Sequence, residues 1–109
     1  MTDLAIPSPA EVSADLILTC IIRQGAGFGT WVGGRVLGHR FEALVFAEHA
    51  QNPAWEIGQS RISKLWLQRR GDRFTVFNWD RGEDLEPINP TARAIVDYLT
   101  STLAERVFG

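Results

Sequence analysis

Three carboxylates and a guanidinium crowd around one glycine in Asp80-Arg81-Gly82-Glu83-Asp84. Clustered carboxylates can hold a hard cation or shift one another's pKa for acid–base work. The same residues also make ordinary turn chemistry, with Asp80 accepting backbone N–H groups and Arg81 pairing with a neighbour. No calcium-loop spacing is present, so the turn reading is preferred and no metal is assigned. A second set is His39, Glu48 and His49. A straight hairpin would hold the two ends of this set about 25 Å apart, so they read as surface histidines. Gly25-Ala26-Gly27-Phe28-Gly29 has the glycines of a phosphate-binding loop, but a strand-like run follows where a helix N-terminus is needed. Ser60, Ser63 and Cys20 have no adjacent base and no nucleophile-elbow motif. Nothing supports catalysis, and no cofactor is implied.

What remains is binding. Lys64, Trp66, Arg70, Phe77 and Trp79 combine rings with cations on what reads as one hairpin, Arg61 to Gly82. Such a set serves a protein interface, where Trp and Arg anchor contacts, or a single-stranded nucleic-acid face, where bases stack on rings. Arg69 and Arg73 would join the second version. It could also be plain core.

The hairpin carries apolar residues on both sides. Leu65 and Leu67 alternate against Ile62 and Trp66 on one strand. Phe74 and Val76 alternate against Phe77 on the other. A half-buried hairpin alternates cleanly, so a helix, a second subunit or a partner is expected to cover the other side. The expected contact surface carries Trp66 and Phe77, bordered by Lys64 and Arg70, with Trp79 and Asp80 to Asp84 as its rim.

Around it the chain reads as follows. Residues 1–7 are a flexible lead and 8–109 a single domain. Ser8-Pro9-Ala10-Glu11 is a capping box, predicting a helix over Pro9 to Gln24, although the β-branched run to Ile22 would equally suit a strand. Thr30 to Leu37 and Arg40 to Glu48 predict a hairpin turning at Gly38-His39. His49 to Ser60 predicts a loop whose Trp55 and Ile57 fold back onto the body. Glu83 to Asn89 predicts a polar connection. Asn89-Pro90 starts a helix whose Ala92, Ile95, Val96, Leu99, Leu103 and Val107 recur every three or four residues. The expected class is α+β: a four-stranded antiparallel meander, a C-terminal helix on one face and an N-terminal helix.

Composition limits the partners. The 109 residues carry a formal charge of −2, which disfavours sequence-independent binding to nucleic acid and to anionic membrane. One cysteine excludes an internal disulfide, and Cys20 in its apolar run reads as a small buried hydrophobe. The start of the sequence has no basic leader and no apolar run reaches membrane length. A cytoplasmic location is expected.

The segments SRISKLWL (Ser60 to Leu67) and NWDRGED (Asn78 to Asp84), with WVGGRVLGHRFEALVF (Trp31 to Phe46) before them, resemble an uncharacterised family of short bacterial, plasmid and phage proteins. Its members read GRISKLWI and YDRGWD. The resemblance spans about Trp31 to Leu103. Ser60 stands where those members have glycine and Glu83 where they have tryptophan. The resemblance implies an accessory protein of mobile elements acting on host machinery, and it supplies no catalytic residues. The expectation is therefore a non-enzymatic interaction module whose partner is another protein or a second copy of itself. Single-stranded nucleic acid is the alternative, and a small enzyme or divalent-cation site at the Asp80 to Asp84 loop the second alternative.

Overall fold

The computed structural model describes residues 6–23, 29–80, 83–85 and 87–108. Helix α1 runs Pro9–Asp15, and its capping box forms as the sequence predicts. The Ser8 hydroxyl accepts from the Glu11 N–H at 3.1 Å, and the Glu11 carboxylate accepts from the Ser8 N–H at 3.0 Å. The helix stops at Leu16, which is extended, instead of continuing to Gln24. From there Ile17–Arg23 forms strand β1. A β-branched side chain loses rotamer freedom against the preceding turn of a helix and packs well on a pleated strand, and the run ILTCII has only to find an edge to pair with.

That edge is β2 (Thr30–Val36), followed by β3 (His39–Val45), β4 (Ile62–Arg69), β5 (Thr75–Asp80) and β6 (Glu83–Leu85). All pairings are antiparallel and the spatial order is the chain order. The class is α+β as expected, with six strands in place of four. The additions are β1, from the segment read as helix, and the three-residue β6, from the stretch read as connection. The β2–β3 turn centres on Leu37-Gly38, not on Gly38-His39. Both residues have positive φ, 47° and 72°, the geometry that matches strand twist in a two-residue hairpin. The Asp15 carboxylate accepts from the Leu37 N–H, tying α1 to that turn.

Helix α2 (Pro90–Phe108) starts under Asn89, whose side chain accepts from the Ala92 N–H at 2.8 Å. All six apolar positions named from its periodicity are buried. They pack on Val32, Val36, Phe41, Ala43, Leu65, Leu67 and Phe77. Helix α1 lies on the same side, beside α2 and over β2, and inserts Val12 into this core. Arg106 joins the two helices by donating to the Ser13 hydroxyl of α1, and it also donates to the Tyr98 hydroxyl within α2. The N-terminal helix therefore does not cover the second face of the sheet.

Two bulges explain why the hairpin looked apolar on both sides. Lys64 lies opposite Leu44 but Ile62 opposite Val45, so Ser63 is an extra residue and Ile62 swings into the core. Leu67 lies opposite Phe77 but Gln68 opposite Thr75, so Val76 is extra, and both Val76 and Phe77 are buried. A bulge shifts the inside–outside alternation by one. Phe74, expected to share a face with Val76, lies before β5 and is exposed, with Arg69 stacked 5.2 Å from its ring centre.

Candidate functional site

With both helices on one side, the other face of the sheet has no cover among the described residues. Its residues fall into three rows across the strands. The first is Ile22, Trp31, Leu44, Lys64 and Asp80. The second is Cys20, Gly33, Glu42, Trp66 and Asn78, and the third is Ile17, Arg35, Arg40, Gln68 and Thr75. Residues directly opposite one another share a face, so the register alone assembles this surface.

Its chemistry is apolar at β1 and mixed toward β4. Ile17 and Ile22 are 52% and 53% exposed. Lys64 places its ammonium 5.9 Å from the Trp31 ring centre and 3.8 Å from the Asp80 carboxylate. The Arg40 guanidinium stacks 5.0 Å from the Trp66 ring centre, and the Trp66 indole N–H donates to the Thr75 hydroxyl at 3.1 Å. Both indoles are half-buried. Gly33 carries no side chain and leaves a groove of about 320 Å³, bordered by Cys20, Arg35, Arg40, Glu42 and Arg70.

Lys64 and Trp66 lie on this face, and Arg70 borders its groove. Phe77 does not: it pairs with Leu67 on the helix side and is 2% exposed. Trp79, expected at the rim, pairs with Leu65 on that same side and packs partly buried against the core. Of the acidic loop, Asp80 is exposed and paired with Lys64. Arg81 and Gly82 lie outside the described residues, as do Gly25 to Phe28, and Glu83 and Asp84 are described only as strand backbone. Among the described residues no group of three His, Cys, Asp or Glu is placed to hold a metal. Nor is any helix among them long and apolar enough to cross a membrane. Cys20 is exposed, not buried, because β1 is an edge strand. His39 reverses in the opposite sense: it is 6% exposed, with Nδ1 2.7 Å from the Leu37 carbonyl.

A second concavity of about 820 Å³ lies at the end of the sheet away from the Leu37-Gly38 turn. One wall is the segment 46–61, which contains a short 3₁₀ turn, Pro53–Trp55, capped by the Asn52 side chain. Glu56 organises this wall. It is 4% exposed and accepts from the Ala50 N–H at 2.6 Å and the Arg61 N–H at 3.0 Å, and it meets His49 Nδ1 at 2.9 Å. Burial pushes the Glu56 carboxyl up, but the bonds from His49 and the two backbone N–H groups outweigh it and hold the group below its usual value. A carboxylate only accepts, so His49 Nδ1 is the donor in this pair. Arg61 sits at φ 64° and donates to the Ala47 carbonyl, and Arg23 donates to the Val107 carbonyl at the end of α2. Ile57 packs against the core as expected, whereas Trp55 stays half exposed at the mouth of the cavity.

The sequence singled out Arg61 only within a run of basic residues with Lys64, Arg69, Arg70 and Arg73, and it pointed to none of Glu56, Trp31 and Arg40. The face residues follow from strand register once β2 and β3 are paired. Glu56 carried no sequence signal, since its partners come from both sides of a loop. A family model described as Domain of unknown function (DUF7678) matches residues 30–104. The chain belongs to that family. The DUF7678 span begins at β2 and ends in the last turns of α2, so it contains both hairpins and the bulges, while α1 and β1 precede it. Neither the curated proteins nor the solved structures contain a match to the chain.

Proposed function

We propose that this DUF7678 protein is a non-enzymatic, cytoplasmic interaction module that docks another protein on the uncovered face of its sheet. The observation that carries this reading is the placement of α1 and α2 on one side, which leaves Trp31, Trp66, Ile17 and Ile22 facing outward on the other. Exposed isoleucines and half-buried indoles rimmed by Arg35, Arg40 and Lys64 have the composition of a protein contact surface. The rim favours a partner with an apolar centre and acidic surroundings. A host protein met by a mobile-element accessory protein is the partner class that the family resemblance adds.

Single-stranded nucleic acid is the second reading, favoured by the same two indoles lying among Arg35, Arg40, Lys64 and Arg70. Two observations rank it lower. Arg40 and Lys64 already stack on the rings a base would need, and Glu42 and Asp80 put negative charge on the same face.

The test is affinity capture from host lysate with and without nuclease, comparing the natural chain with Trp31→Ala and Ile22→Glu. The proposal expects a nuclease-resistant protein that both substitutions release while circular dichroism shows a folded domain. A dimer of the bait alone, broken by the same substitutions, makes the partner a second copy. Capture that depends on nucleic acid and weakens steeply with salt overturns the protein reading.

A further inference from the structure

Beyond the sheet face, we propose that the cavity at the end of the sheet binds a small planar organic anion: an aromatic or heteroaromatic ring bearing a carboxylate or a phosphate monoester. Its volume, about 820 Å³, falls in the range of small-molecule sites, which combine apolar walls with a few convergent polar groups. Phe108 and Trp55 supply the apolar surface. Arg23 and Arg61 supply the charge, and the Phe108 ring lies 5.9 Å and 6.0 Å from their guanidinium carbons. One ring thus holds two cations at a shared place before any ligand arrives.

Each guanidinium has five N–H donors. Among the described residues each makes one hydrogen bond, to a backbone carbonyl, and neither is ion-paired with a carboxylate. Donors are therefore left over for anionic oxygens, which guanidinium recognises in a two-pronged geometry.

The backbone of Arg61 is the second, independent observation. A side chain at φ 64° occupies the left-handed region where glycine sits without penalty, and non-glycine residues kept there concentrate at ligand sites. Its conformation is pinned from both sides, by its N–H donating to Glu56 and its carbonyl accepting from the Phe46 N–H at 2.9 Å. From that backbone the Arg61 side chain lines the cavity. The charge of Glu56 itself is spent on three donors, so it does not compete for the arginines. It also fixes the His49 ring at the cavity wall.

The experiment measures binding of phenyl phosphate and of benzoate to the full chain by calorimetry and by melting shift. Inorganic phosphate and benzyl alcohol serve as the anion-only and ring-only controls. The expected result is saturable binding of the two aromatic anions. Arg61→Gly and Arg23→Gln should each weaken it about tenfold or more, the loss due to one charge-assisted contact. Because glycine suits φ 64°, Arg61→Gly is expected to fold, and Arg23→Gln reports on the site without touching that backbone. The proposal is overturned if neither anion binds at millimolar concentration. It is equally overturned if both variants bind unchanged, or if either control binds as tightly as the aromatic anions.

Discussion

Trp66 and Phe77 look alike in the sequence and sit on opposite sides of the sheet, so truncating each should separate binding from folding. Phe77 is 2% exposed and packs with Leu65, Leu67 and α2. Removing a ring from such a place costs the transfer free energy and leaves a cavity, about 3–5 kcal/mol together. A domain of this size has about 5–15 kcal/mol in total, so Phe77→Ala is expected to lower the melting temperature by ~15–30 °C or to prevent folding. Trp66 is half-buried on the opposite face. Its truncation loses one hydrogen bond to Thr75, one stacked arginine and the burial of part of the ring, about 2–3 kcal/mol in sum. The reading is checked by urea denaturation of both variants followed by circular dichroism, with the near-ultraviolet signal reporting tertiary packing. Equal losses in the two variants, or a larger loss in Trp66→Ala, would refute the assignment of faces. With the assignment upheld, Trp66→Ala joins the substitutions that probe the surface, and Phe77→Ala drops out because unfolding alone would release a partner.

Two further expectations concern the scaffold. Glu56 has its folded-state pKa lowered, so its contribution to stability is full above the unfolded value of about 4.5 and is lost as pH falls through the lower folded value. Glu56→Gln should therefore flatten the acid limb of stability against pH and cost about 2 kcal/mol at neutral pH, read by urea midpoints from pH 3 to pH 7. A Cβ on Gly34 would lie 2.7 Å from both the Ile17 carbonyl oxygen and the Phe41 ring. Gly34→Ala should destabilise the β1–β2–β3 region by about 1–3 kcal/mol, visible as faster amide exchange in β1.

How far the chain could be read depended on whether a signal was local. The capping box at Ser8 and the six buried positions of α2 follow from spacing within one element, and the structure reproduces them. Ile17 to Arg23 carried two signals, and tertiary context decided between them: β2 presents a free edge, and Gly34 lets the Phe41 ring and β1 approach it closely. The bulges at Ser63 and Val76 leave no local mark, so strict alternation assigned Ile62 and Phe77 to the wrong face. That error has a functional consequence. With Ile62 and Phe77 moved to the core, the uncovered face keeps Trp66 but gains Trp31 and Arg40 from another hairpin, and its apolar part moves toward β1. A surface assembled by register from five strands cannot be found by scanning one hairpin. The same holds for the end cavity, where Arg23 and Arg61 are separated along the chain by two hairpin strands and meet at a ring from the last turn of α2. Residues that converge from the ends of separate elements owe their positions to the whole fold, and for that reason the substitutions that test them must first be shown to leave the fold standing.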